Sequence, residues 1–237
     1  MESVLQRPLT ARWNLSWGVN VQAVRIWALV TALMLYLGLQ AGGYDIVVSS
    51  EAGIVVWWTV LIALAWGILP AAGLTRAAWA AIVLLAAFLI WSALASTWSL
   101  SVERGLQETS RLACYFGVLV LALTGHRDRQ VALRHTVGAL ATAVVVLCGL
   151  GLLSRLSPDV FPAAQTTASY LPGAHQRLSW PLNYWNAVGA LGAIGLPLLL
   201  GLAARGRSLL AQALAAGAIP LVALCGYLTF SRGGAIA

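Results

Sequence analysis

The sequence has no lysine. All fourteen basic residues are arginine, set against seven acids, and charged residues make up only 9% of 237 residues. A soluble globular domain carries about 25% charged residues, so this chain cannot clothe a water-facing surface, and the soluble classes are excluded. Cysteine is also scarce. Cys114, Cys148 and Cys225 all fall inside apolar segments, without metal-ligand spacing or a disulfide framework, and read as small core residues. There is no nucleophile elbow, P-loop, Cys-x-x-Cys or carboxylate pair within an apolar run, and no internal repeat. The centres of the runs lack charge, which argues against a proton-coupled transporter. A cleavable signal peptide is not expected either, because the polar stretch 1–22 is too long and too mixed.

What the chain has is hydrophobic length. Hydrophobic residues are 60% of the total and come in runs of near-membrane length. Lipid offers the backbone no hydrogen bonds, so each run must be helical or belong to a closed barrel. The alternation that a barrel strand requires is absent. The expectation is an all-α polytopic transmembrane bundle: one domain over 1–237, with seven spans near 24–42, 53–70, 77–95, 111–125, 136–153, 184–203 and 209–229. A net charge of +7 raises nucleic acid as a partner. The arginines lie in short loops, however, so bilayer orientation explains them and no nucleic-acid partner is expected.

With the N-terminus cytoplasmic, the inner side holds Arg7, Arg12, Arg25, Arg76, Arg127, Arg129, Arg134, Arg205 and Arg207. The outer side holds Arg104, Arg111, Arg155, Arg177 and Arg232. This bias favours that orientation, with the long loop 154–183 outside. Asp45, Glu51, Glu103, Glu108 and Asp159 also fall outside. Of the eleven Trp, Trp57, Trp58, Trp91, Trp98, Trp180 and Trp185 lie near expected span ends and read as interfacial anchors.

Three outward segments place arginine against the positive-inside trend. The first, WSLSVERGLQETSR over 98–111, spaces Glu103, Arg104, Glu108 and Arg111 by helical turns. It reads as a solvated amphipathic re-entry with local ion pairs, or as substrate contacts from Arg104 and Arg111. The second is the loop and its exit, HQRLSWPLNYWNAVG over 175–189. Four prolines (Pro158, Pro162, Pro172 and Pro181) favour a shaped loop. Arg177, Asn183, Tyr184, Trp185 and Asn186 then crowd the mouth of a span. Asn186 belongs in the first helical turn, where backbone N–H groups favour anions, and Arg177 presents a planar fork suited to phosphate oxygens. Aromatic faces beside amides suit sugar rings. The plainer reading is an interfacial anchor with capping asparagines. The third segment, TFSRGGAIA over 229–237, puts Arg232 at a span end before two glycines, either as a snorkelling charge or at a close backbone approach. His175, two residues from Arg177, reads as incidental, and His126 and His135 flank the inner basic loop.

Three motifs in order carry a family resemblance: W-S-x-S-x-E-R-x-x-x-E at 98–108, R-L-S-W-P-L-N-Y-W-N-A-V-G at 177–189 and F-S-R-G-G at 230–234. With the apolar spans they make the chain similar to the bacterial O-antigen ligase and O-antigen polymerase superfamily over most of its length. The 177–189 stretch is the most specific part. The resemblance implies a metal-independent, inverting glycosyltransferase without cofactors, embedded in the inner (plasma) membrane as a multi-pass protein. Its partners would be the lipid bilayer, a glycan donor on undecaprenyl pyrophosphate, and a glycan, lipid or protein acceptor at the outer face. Arg177 and Arg232 fall at the positions of two donor-pyrophosphate arginines. Asn183, Tyr184, Asn186, Arg104 and Arg111 are further candidate substrate contacts. The family's general-base His lies in a later external loop, beyond residue 237, so the chain is expected to be the N-terminal part of such an enzyme and inactive alone. A polysaccharide polymerase, a transporter for an anion or lipid-linked solute, and a non-catalytic remnant are the alternatives.

Overall fold

The fold, taken from a computed structural model, is described for residues 21–69, 73–126, 128–161 and 176–236. Expectations for 1–20, Arg127, Pro162, Pro172 and His175 fall outside these residues. Among the described residues there are helices and no strand: α1 (Val21–Leu39), α2 (Ile46–Ala65), α3 (Arg76–Ala95), α4 (Val102–Thr124), α5 (Arg129–Leu156), α6 (Trp185–Arg205), α7 (Leu209–Leu228) and the short α8 (Arg232–Ile236). Six of them, α2 to α7, are long and apolar enough to cross a membrane, while α1 contributes the shorter apolar stretch Trp27–Leu39.

Most helix starts are set by a polar side chain that accepts orphan backbone N–H groups. Asp45 accepts from Val47 N in α2, Thr75 from Ala78 N in α3 and Ser101 from Arg104 N in α4. Asp128 accepts from Gln130 N and Val131 N in α5, and Ser208 from Ala211 N in α7. Several starts therefore precede the apolar runs. The helix expected at 111 begins at Val102, so most of the segment 98–111 is the first turns of α4. In that stretch Arg111 pairs with Glu108 at 2.8 Å, but Glu103 meets Gln107 instead of an arginine. Trp57 lies well inside α2, and its indole N–H donates to Ala113 O of α4 at 3.1 Å, so it ties helices together where an interfacial anchor was expected.

Between lipid-embedded helices there is little hydrophobic driving force, and close packing at small residues takes its place. Gly38 of α1 lies under Leu147 of α5, and Gly117 of α4 under Val56 of α2. α3 joins α4 through Ser92 and Thr109, whose hydroxyls are 3.2 Å apart. The main core lies between α5, α6 and α7, around Val144, Cys148, Val188, Leu199, Val222 and Cys225, with Leu178 inserted from the 176–184 segment. The end of α1, the starts of α2, α4 and α6, and the ends of α3, α5 and α7 all meet at one face. The ends of α2, α4 and α6 and the starts of α3, α5 and α7 lie toward the other face.

Candidate functional site

The site grows from two chain reversals on the first face. The segment 176–184 approaches α6 with Leu178 as its anchor. Leu178 is 2% exposed in the core, and its N–H donates to Leu228 O at the end of α7, 2.9 Å away. This fixes Arg177 beside the end of α7. Trp180 O lies against Gly151 of α5, the Trp180 ring meets Phe161 edge-on at 4.9 Å, and the Trp180–Pro181 bond is cis. Asn183 then turns the chain with φ +55°, a left-handed conformation that asparagine tolerates better than most residues. Its Oδ1 is buried, with no hydrogen-bond partner among the described residues. α6 starts at Trp185 after Tyr184, which gives the helix no side-chain cap.

The second reversal joins α7 to α8. The Thr229 hydroxyl donates to Gly226 O (2.6 Å) and accepts from Ser231 N (3.2 Å). Phe230 between them has φ +49°. Ser231 caps α8, its Oγ accepting from Gly234 N at 3.1 Å, and Arg232 is the first residue of that helix. α8 lies against α6 through glycine. A Cβ on Gly234 would stand 2.9 Å from the Gly189 Cα, and a Cβ on Gly189 would stand 3.0 Å from the Ser231 Cβ. The close backbone approach expected after Arg232 is made at Gly234. Gly233 has open space and lines a neighbouring hollow with Asn186 and Ala190.

Together the reversals frame a cleft of about 660 Å³ between α6 and α7. Its walls are Gly189, Gly192, Ala193 and Leu196 of α6 and Val222, Ala223, Gly226 and Tyr227 of α7, with Phe230 and Ser231 beyond them. Arg177 and Arg232 stand at its mouth. Arg177 is half-buried and Arg232 exposed. Among the described residues neither has a carboxylate partner. The Arg177 guanidinium lies 5.0 Å from the centroid of the Trp185 ring, an arrangement that contributes about 0.5–2 kcal/mol and restrains the charge. The chemical character is therefore two positive forks at a mostly apolar cleft. Among the described residues no three His, Cys, Asp or Glu side chains gather where one ion could hold them.

Of the residues singled out from sequence, Arg177 and Arg232 meet at this cleft although 54 positions lie between them. Asn186 borders it and is tied into it: the Ser231 hydroxyl donates to Asn186 Oδ1 at 2.9 Å, and Asn186 Nδ2 donates to the Tyr184 hydroxyl at 2.7 Å. Asn183 and Tyr184 shape the approach and do not line the cleft. Arg104 is exposed near the start of α4 and Arg111 is occupied elsewhere: it bonds Glu108 and Tyr44 O, and stacks over the Tyr44 ring at 4.5 Å. Arg111 thus braces the α1–α2 connection, whose Gly42 reaches Leu182. Sequence reasoning passed over Ser231 as a site residue. The signal was present as a serine placed three residues before Gly234, the spacing of an N-cap.

Comparison with protein-family models, with curated proteins and with solved structures finds no match to this chain.

Proposed function

We propose that this membrane protein binds a glycan carried on undecaprenyl pyrophosphate and serves its transfer to an acceptor at the outer face of a bacterial inner membrane, as the motif resemblance to the O-antigen ligase and polymerase superfamily implies. The observation that carries the reading is the convergence of Arg177 and Arg232 on one cleft whose remaining walls are mostly apolar. A lipid pyrophosphate has the same two parts. Its phosphates accept bidentate guanidinium bonds, and its isoprenoid chain suits the α6–α7 seam. As the glycan leaves, negative charge grows on the pyrophosphate, and the two guanidinium groups at the cleft stabilise it. Trp185 under Arg177 limits how far that group must reorganise.

The test is binding of undecaprenyl pyrophosphate to the chain in nanodiscs, with Arg177→Ala and Arg232→Ala as single variants. Each is expected to weaken binding by about tenfold or more, the range for a lost charge-assisted contact. Wild-type affinity in both variants overturns the reading.

A further inference from the structure

The cleft's two arginines are held in different ways. Arg177 rests on Trp185 and on the buried Leu178 next to it. Arg232 is exposed, opens α8, and follows a left-handed Phe230. Among the described residues, no side chain of α8 bonds that guanidinium. What holds α8 in place is a hydrogen-bond chain reaching across from α6.

Ser231 Oγ accepts from Gly234 N at 3.1 Å and donates to Asn186 Oδ1 at 2.9 Å. Asn186 Nδ2 in turn donates to the Tyr184 hydroxyl at 2.7 Å. One hydroxyl therefore serves as cap of α8 and as tie to α6, and each bond polarises the next. The tie is possible only because Gly189 and Gly234 let the backbones touch. Ser231 is buried at 7% exposure, so water competes weakly for the two bonds of its own hydroxyl.

We propose that Asn186 and Ser231 are positioning residues that act through Arg232, clasping α8 to α6 so that this guanidinium faces the lipid pyrophosphate opposite Arg177. The assignment rests on the function proposed above. It adds that affinity at the Arg232 side depends on an amide and a hydroxyl that need not touch the ligand.

The experiment measures undecaprenyl pyrophosphate affinity in nanodiscs for Asn186→Ala and Ser231→Ala, alone and combined with Arg232→Ala or Arg177→Ala. Asn186→Ala and Ser231→Ala are each expected to weaken binding about threefold to tenfold. That loss should persist beside Arg177→Ala and vanish beside Arg232→Ala, because the residues work through the missing group. A general loss of structure would lower affinity in both backgrounds. Tyr184→Phe, which removes only the outer link, is expected to give a smaller loss of the same pattern, and it carries the test together with Asn186→Ala if Ser231→Ala does not fold. Wild-type affinity in Asn186→Ala and Ser231→Ala, with loss in Arg232→Ala, overturns the clasp and leaves the function standing. Loss that persists in the Arg232→Ala background also overturns it. Wild-type affinity in both arginine variants overturns the function and the clasp together.

Discussion

Adjacent glycines in the α8 turn face opposite circumstances. Gly234 meets the backbone of Gly189, whereas Gly233 meets nothing within 4 Å. Gly234→Ala must therefore push α8 away from α6, and is expected to cost about 1–3 kcal/mol, the range for overpacking. Gly233→Ala is expected to be neutral or to stabilise the chain by up to about 1 kcal/mol, since alanine is the better helix former and glycine's unfolded freedom is removed. Thermal unfolding of both variants in detergent checks the contrast, and equal melting temperatures would contradict it. Phe230 sets a related problem. A left-handed non-glycine residue costs roughly 1–2 kcal/mol, and its ring lies beside Tyr227 with centroids 5.8 Å apart. The turn that presents Ser231 and Arg232 thus carries local strain that the surrounding contacts must offset.

At the level of helices, the α5–α6 seam depends on Gly195, where an added Cβ would collide with Val144. Gly195→Ala is expected to destabilise the bundle by about 1–3 kcal/mol. Adding Val144→Ala should recover part of that loss, with a coupling of about 0.5–3 kcal/mol in a double-mutant cycle followed by unfolding in detergent. Strictly additive effects would mean that the two residues do not meet. The helices themselves were legible in the sequence, because apolar runs near membrane length admit few alternatives. Their starts were legible only in part. Ser101 and Asp128 extend α4 and α5 into polar sequence, and a polar first turn resembles a loop when hydropathy is the guide. Arg177 and Arg232 could be singled out as charges against the orientation trend, and the structure sets them at one cleft. The Ser231–Asn186 bond could not be foreseen. It depends on a glycine contact between residues 45 apart, and no periodicity records which small residues will meet.

For the whole molecule, the division of connections between two faces gives a direct test of orientation. With the N-terminus inside, Tyr44 and Leu100 face outward, while Trp66 and Arg207 face the cytoplasm; all four are exposed. In intact cells a membrane-impermeant maleimide is expected to label Tyr44→Cys and Leu100→Cys, and to reach Trp66→Cys and Arg207→Cys only after permeabilisation. The unsubstituted chain serves as the blank, since Cys148 and Cys225 are buried and Cys114 is half-buried. The reverse pattern would put the cleft on the cytoplasmic side, where an outward transfer could not take place. The Gly189–Gly234 contact bears on how such a cleft can change. Along that edge two main chains already touch, so no side-chain replacement can narrow the gap without moving a helix. Elsewhere along the cleft, Ala193 of α6 and Ala223 of α7 line the wall as single methyl groups, and a larger side chain at either would narrow the bore. Related chains adapted to thicker or thinner ligands are thus expected to diverge at 193 and 223 while keeping glycine at 189 and 234, a fixed jaw working against an adjustable one.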